Sequence, residues 1–168
     1  MKDLAKRFFL IVSVLLACVG CDQSTKFYAE SSLPMARALS FWGDTARLQL
    51  TYNEGAFLGL GASSPKGWRT AALRFGVATL LAALFVQALR MKTARTSLLV
   101  GLSLVLAGGV GNLIDRVLHD GRVVDFINLG IGSWRTGIFN VADMAIMAGA
   151  LLLVLPAWRR GPPSGAAH

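Results

Sequence analysis

Two aspartates of this 168-residue chain stand in apolar surroundings without an obvious partner. Asp125 lies within an otherwise apolar run at 123–127, and Asp143 has no cation within four residues in either direction. An ionisable group inside a membrane span costs about 2.5–3.5 kcal/mol on insertion scales, so it requires a partner, an aqueous cavity or a function. Arg122, three residues before Asp125, leaves an ordinary loop salt bridge open for that residue.

Two carboxylates that meet in a partly dry site would carry a specific chemistry. Like charges at about 3 Å cannot both ionise, so such a pair shares one proton. The ionised member can accept a proton from water, and the protonated member can polarise a carbonyl and protonate a leaving amine. The histidines, His119 and the terminal His168, form no Ser–His or Cys–His pattern, and we interpret His119 as a solvated loop residue. The sequence has no metal-ligand spacing or phosphate-binding glycine loop, so we expect no metal and no cofactor.

The other polar residues of the apolar segments recur three or four positions apart, so each group shares one helix face. These groups are Asp22 with Lys26, Asn112 with Asp115 and Arg116, and Asn140 with Asp143. Charge compensation explains the Asp22–Lys26 and Asp115–Arg116 pairs as well as catalysis does.

The elements that must position these residues are strongly apolar. Hydrophobic residues make up 54% of the chain and charged residues 15%, with a mean hydropathy of +0.56, whereas about a quarter of a soluble domain is charged. The net charge of +8 is spread in short clusters between apolar runs, which argues against a nucleic-acid partner. Four segments come near the roughly 20 residues that cross a bilayer: 8–27, 70–89, 97–114 and 138–158.

The basic residues predict how these segments are oriented. Eight Lys and Arg fall in the 24 residues of 1–7, 90–96 and 159–168, but only seven fall in the 64 residues of the two connections, 29–69 and 115–137. The positive-inside rule therefore predicts that both termini are cytoplasmic and that both connections face outward. The polar groups then collect near the outer face of the membrane.

The outer connections contain more than linkers. Residues 47–52 alternate polar and apolar side chains, as in a half-buried strand, and Gly55 follows as a turn residue, so we predict a small sheet on the membrane surface. We predict one membrane domain over 1–160 and a disordered tail at 161–168. Small residues that favour close helix packing in lipid mark the third span: Gly101, Gly108, Gly109 and Gly111.

Two other functions stay open from the residues alone. The stretch 15–18, which ends at Cys18, has the form of a bacterial lipobox, so the chain could be a lipoprotein. The apolar character that continues past Cys18 and the Asp22–Lys26 pair favour an uncleaved first helix. An ion-coupled carrier could use intramembrane acids as proton relays, but the acids here leave the membrane midplane bare.

Five blocks, in this order, resemble those of the lipoprotein signal peptidases, or signal peptidase II: 22–26, 53–57, 111–116, 123–126 and 139–143. One block alone would be weak evidence, but five in order form a specific match. The resemblance implies an all-α polytopic membrane protein with four transmembrane helices and a small extracytoplasmic β-cradle. It also implies an aspartic endopeptidase of the bacterial cytoplasmic (inner) membrane, with its active site at the outer face.

By the matching blocks, the resemblance implies that Asp125 and Asp143 are the catalytic dyad. It assigns supporting or substrate-binding roles to Asp22, Lys26, Asn53, Gly55, Asn112, Asp115, Arg116 and Asn140. The implied substrate is a diacylglyceryl-modified prolipoprotein, cut N-terminal to the lipidated Cys by an activated water. Membrane lipid is the other expected partner, and we expect a monomer. Two departures from the family pattern, Phe57 directly after Ala56 and Met144 after Asp143, bear on substrate preference and inhibitor fit.

Overall fold

The computed structural model describes residues 2–35, 37–55, 66–91 and 95–158. Within these ranges the chain is mostly helical and carries one small antiparallel sheet, as the sequence predicts. In chain order the helical elements are α1 (Lys2–Ser32), α2 (Lys66–Ala71), a π-helical turn (Ala72–Gly76), α3 (Val77–Arg90), α4 (Thr96–Leu118) and α5 (Val141–Trp158). The strands are β1 (Leu39–Phe41), β2 (Ala46–Asn53), β3 (Val123–Ile131) and β4 (Trp134–Arg135).

Three described helical segments are long and apolar enough to cross a membrane: Leu4–Ser32, Leu73–Arg90 and Thr96–Leu118. Helix α5 contributes a shorter apolar segment, Val141–Val154. Helix α4 continues past residue 114, where the predicted third span ends, to Leu118. Asp115 and Arg116 therefore project from its last turns, where they have buried partners.

Helix α4 lies at the centre of the helical part, between α1, α3 and α5. The glycines of α4 allow its backbone to lie close to that of α5. A Cβ at Gly101 would lie 3.1 Å from the carbonyl oxygen of Gly149, and one at Gly108 would collide with the carbonyl oxygen of Ala142. These contacts confirm the predicted close packing of the third span, because a side chain here would push α5 away.

The strands form one antiparallel sheet in the order β1-β2-β3-β4. The strand predicted at 47–52 is confirmed and extends by one residue at each end. The register shifts between Leu48 and Thr51, so Thr51 pairs with Asp125 and Asn53 pairs with Val123. This bulge sets which side chains of β2 stand beside Asp125.

The sheet is attached to the helices by a small apolar core. Ala29 near the end of α1 packs with Leu50 of β2 and with Val124 and Phe126 of β3. Because β3 follows α4 after only four residues, the end of α4, the start of β3 and the end of α1 meet at one place. The predicted disordered tail at 161–168 and Phe57 lie outside the described residues.

Candidate active site

A buried cluster of charges joins α1 to α4. The ammonium nitrogen of Lys26 lies 2.8 Å from a carboxylate oxygen of Asp22 and 2.8 Å from one of Asp115. Gln23 donates its side-chain amide to both carboxylates, at 3.1 Å and 3.0 Å, and to the carbonyl oxygen of Gly111. Asp22, Lys26 and Asp115 are each at most 2% exposed. The cluster is hydrogen-bonded throughout, as buried charges require.

Two asparagines form the next layer. Asn112 of α4 accepts a hydrogen bond from Lys26 at 3.1 Å and donates its amide to Oδ1 of Asp143 at 2.9 Å. Asn140 donates its amide to Oδ1 of Asp125 at 2.7 Å, and the same nitrogen lies 3.1 Å from Oδ1 of Asn112. Lys26, Asn112 and Asn140 therefore link the buried cluster to both predicted dyad residues.

Asp143 is held by the start of its own helix. Asn140 directly precedes α5, and its side-chain oxygen accepts the backbone N–H of Asp143 at 2.9 Å. In return, Oδ2 of Asp143 accepts the backbone N–H of Asn140 at 3.2 Å. This reciprocal exchange is a capping box, which fixes the carboxylate in the first turn, near the positive end of the helix dipole.

Asp125 is held from the sheet. Asn53, at the end of β2, donates its amide to Oδ2 of Asp125 at 3.1 Å, while Asn140 donates its amide to Oδ1. The carboxyl group is 2% exposed. Burial and the neighbouring Asp143 charge raise the pKa of Asp125 to about 6, although the hydrogen bonds from Asn53 and Asn140 favour the charged form and act against this rise.

Arg116 supplies positive charge next to the dyad. Its guanidinium donates to the carbonyl oxygen of Asn112 at 3.1 Å and to that of Gly55 at 3.2 Å, and so ties the segment after β2 to α4. Arg74 of the π-helical turn donates to the backbone carbonyl of Arg116 at 2.9 Å. Gly55 itself donates its N–H to the side chain of Asn53.

His119 does not match its interpretation as a solvated loop residue. It follows the last residue of α4, with its ring nitrogens 3.2 Å from the carboxylate of Glu30 and 3.2 Å from the carbonyl oxygen of Asp115. Tyr52 of β2 donates to the same Glu30 carboxylate at 2.7 Å, and Arg122 lies over the Tyr52 ring. The histidine is half-buried because it helps join α1, α4 and β2.

The structure brings all ten residues singled out in the sequence into one connected network. Sequence reasoning missed two kinds of participant. Gln23 adjoins Asp22 in the chain, but its reach to Asp115 depends on the packing of α1 on α4. Arg74 binds a backbone carbonyl, that of Arg116, and no side-chain pattern reveals such a partner. Met144 is exposed on α5, so that departure does not enter the network.

The part of the chain that contains these residues is similar to known proteins. A sequence model of the signal peptidase (SPase) II family matches residues 14–159. The lipoprotein signal peptidase of Hydrogenovibrio crunogenus is 40% identical over 158 residues, which cover 92% of this chain and 88% of that protein. The chain belongs to the signal peptidase II family.

Other similarities agree with this membership. The lipoprotein signal peptidase of Chlorobium phaeobacteroides is 37% identical over 157 residues, covering 88% of this chain and 93% of that protein. A bacterial membrane enzyme solved by the in meso method at 2.3 Å resolution shares the fold, with a TM-score of 0.79, 24% identity and coverage of 94% of this chain and 93% of the other. A second, solved at 1.9 Å, gives a TM-score of 0.76 at 27% identity, with 88% and 91% coverage.

As a signal peptidase II, the chain is a peptidase and therefore a hydrolase, which decides against the ion-coupled carrier. Cys18 lies within the uninterrupted helix α1, about two turns after the fully buried Ile11 and one turn before Asp22. Asp22 and Lys26, which favour an uncleaved first helix, are bound to α4 in the same network.

Proposed function

We propose that this protein is an aspartic endopeptidase of the bacterial cytoplasmic membrane that removes signal peptides from diacylglyceryl-modified prolipoproteins, with Asp125 and Asp143 as its dyad. The observation that carries the proposal is the position of Asn140. Its side-chain amide donates to a carboxylate oxygen of Asp125, and its backbone N–H donates to one of Asp143, so one buried residue hydrogen-bonds both carboxyl groups.

The protonation states of the two dyad carboxyl groups support hydrolysis by water. Asp125, whose pKa is raised to about 6, is the member that holds the shared proton. Asp143 is the base. It takes a proton from water, and the resulting hydroxide adds to the scissile carbonyl carbon while Asp125 donates a hydrogen bond to the carbonyl oxygen. Collapse of the tetrahedral intermediate passes a proton to the departing amine. The products are a signal peptide with a free carboxyl terminus and a Cys with a free amino group.

The surrounding residues have separate tasks in this mechanism. Asn112 and Asn140 hold the dyad oxygens with neutral amide donors, which orient both carboxyl groups without neutralising their charge. Arg116 binds the carbonyl oxygen of Gly55 and so places the segment after β2 beside the dyad. Gly55 is buried, and its N–H is bonded to the side chain of Asn53.

We place the dyad at the outer surface of the membrane, with four spans and both termini in the cytoplasm. The basic residues outside the outer connections support this orientation. Helix α5 has 18 residues, close to the length that crosses a bilayer, and Asn140 and Asp143 mark its outer end, where the membrane meets water. Trp42 and Trp134, both highly exposed, lie in or next to the β1–β2 and β3–β4 turns, where aromatic residues suit the membrane interface.

The depth of the dyad suggests why a lipidated substrate is used. A diacylglyceryl chain on the Cys of the substrate partitions into the outer leaflet and holds the scissile bond at the surface. Asp125 and Asp143 lie at the junction between the sheet and the helix ends, which is the corresponding level of the enzyme. We take the functional unit to be a monomer, because a single chain supplies both dyad residues and amide donors to both of their carboxyl groups.

The test is cleavage by the purified protein of one prolipoprotein in two forms, with and without diacylglyceryl on its Cys. We expect cleavage of the lipidated form only, with a product that begins at the lipidated Cys by intact mass. Equal cleavage of both forms, or a cut at another bond, would contradict the proposed substrate class. No cleavage of either form by well-folded protein would contradict the proposed function.

A further inference from the structure

Two buried aspartates each accept the backbone N–H of the residue that directly precedes a dyad residue. Oδ1 of Asp22 accepts the backbone N–H of Ala142 at 2.8 Å, and Ala142 directly precedes Asp143. Oδ2 of Asp115 accepts the backbone N–H of Val124 at 3.0 Å, and Val124 directly precedes Asp125. The two contacts are therefore equivalent, although one involves the start of a helix and the other the start of a strand.

The two aspartates are also bound to each other through shared donors. Lys26 pairs with both carboxylates, and Gln23 donates to both. The space around Asp22 is filled, because a Cβ at Gly111 would lie 2.6 Å from its Oδ2. Movement of either carboxylate would therefore disturb the other.

We infer that Asp22 and Asp115 are a matched pair of positioning residues, each fixing one dyad aspartate through the N–H that precedes it, and that Lys26 and Gln23 join them into one unit. This inference rests on the proposed dyad. Each hydrogen bond holds the planar peptide that ends at Ala142 or Val124, one residue before the dyad aspartate, and so restrains the backbone that carries the dyad residue. Errors of about 1 Å in such positions cost about 10²-fold in rate.

A purely structural role would also explain buried ion pairs between helices. The two roles differ in what a substitution changes. A structural pair affects the stability of the folded chain, whereas a positioning pair affects kcat in molecules that remain folded and leaves KM nearly unchanged. They also differ locally, because only the positioning role requires each aspartate to protect one specified amide.

The first arm of the test measures hydrogen exchange at individual amides in detergent-solubilised, isotope-labelled protein. We expect Asp22→Asn to raise exchange at the Ala142 amide by about tenfold or more, and at the Val124 amide by a smaller factor, because Val124 keeps its own acceptor, Asp115. Asp115→Asn should do the reverse. Unchanged exchange at both amides, or an equal rise at both together with the rest of α4 and α5, would overturn the inference.

The second arm measures kcat and KM with a lipidated prolipoprotein. Asp22→Asn and Asp115→Asn should each lower kcat about tenfold or more, with KM within about threefold, and the double variant should lose little more than the worse single variant. Ile11→Ala is the matched control, because Ile11 is fully buried in α1 about three turns from Asp22. It should lower the thermal midpoint while kcat per folded molecule stays within about twofold.

The outcomes separate this inference from the proposed function. The exchange arm needs no substrate, so it decides whether each aspartate holds its amide even where no cleavage is seen. If the original chain cleaves the substrate and both variants keep its kcat, the positioning inference is wrong and the peptidase is not. If the original chain does not cleave, the proposed function is wrong, and positioning for catalysis is wrong with it.

Discussion

At the scale of single residues, the environment of Asp125 combines opposing influences. Burial and the Asp143 carboxylate raise its pKa, while amide donors from Asn53 and Asn140 lower it, and the result is about 6. A general acid works best when its pKa lies near the working pH. The two amides therefore adjust the pKa of Asp125, the proposed acid, as well as the direction of its carboxyl group.

This balance predicts a shift in the pH profile. Removal of the Asn53 amide in Asn53→Ala takes away a hydrogen bond to the charged form, so the pKa of Asp125 should rise. The protonated form then persists to higher pH, and the alkaline limb of kcat/KM should move upward by about one pH unit from its position near 6. Asn128→Ala on β3, whose amide donates to the carbonyl oxygen of Thr136, is the control and should leave the limb in place. A limb that stays, or moves down, in Asn53→Ala would contradict the assignment of Asp125 as the acid.

The residues that could be predicted from the sequence were those whose charge had no local partner. Asp143 stood out for that reason, and its described contacts are all to neutral groups of the chain: the Asn112 amide and the Asn140 backbone. Gln23 and His119 could not be placed in the same way. Gln23 contacts Asp115 on another helix, and His119 contacts Glu30 near the end of α1. Neither partner is close in sequence, so the residues around Gln23 and His119 do not reveal them.

At the scale of elements, the junction of α4 with α5 sets the position of Asp143. The carbonyl oxygen of Ala142 and the side chain of Ile146 both occupy the space that a Cβ at Gly108 would need. Because Asp143 follows Ala142 directly, any widening of this contact moves the dyad residue itself.

Gly108→Ala should therefore reduce both stability and activity. Overpacking of this kind costs about 1–3 kcal/mol, and we expect kcat to fall by about 10²-fold from misplacement of Asp143. Gly20→Ala is the control, because a Cβ there meets nothing within 4 Å and alanine suits a helix better than glycine. Thermal unfolding and cleavage rates measured on both variants test this. Full activity in Gly108→Ala would show that α5 tolerates displacement.

The helices and strand β2 could be predicted from the sequence, but the residues at which they end could not. Apolar runs and the alternation at 47–52 were sufficient to predict the helices and β2. Helix α4 extends past the end of its apolar run because Asp115 and Arg116 find partners on α1 and after β2. Those partners are distant in sequence, so hydrophobicity alone could not predict the end of the helix.

At the scale of the whole molecule, polar groups from α1, α4, α5 and the sheet converge at one end of the helices. Their convergence could be predicted, because the positive-inside rule brings the polar ends of the spans to one side. The sequence could not predict which residues of the cluster bind each other. Lys26 binds Asp22 on its own helix face, as its spacing predicts, but it also binds Asp115 and Asn112, which depends on how α1 crosses α4.

The proposed orientation can be tested with single cysteines in a background in which Cys18 and Cys21 are replaced by Ala. Ser133→Cys lies in the exposed β3–β4 turn, and Thr96→Cys lies at the exposed start of α4. A membrane-impermeant thiol reagent should label Ser133→Cys from outside the cytoplasmic membrane and Thr96→Cys only after that membrane is opened. The reverse pattern would invert the proposed topology, and labelling of both from outside would exclude it.

The most direct test of the central claim is the cleavage rate of Asp125→Asn and Asp143→Asn with a lipidated prolipoprotein. Each variant removes one proton-transferring group, so each should lower the rate by about 10²–10⁴-fold or abolish it, while the protein remains folded by its thermal unfolding. A folded variant of either kind that turns over near the original rate would contradict the assignment of Asp125 and Asp143 as the catalytic dyad.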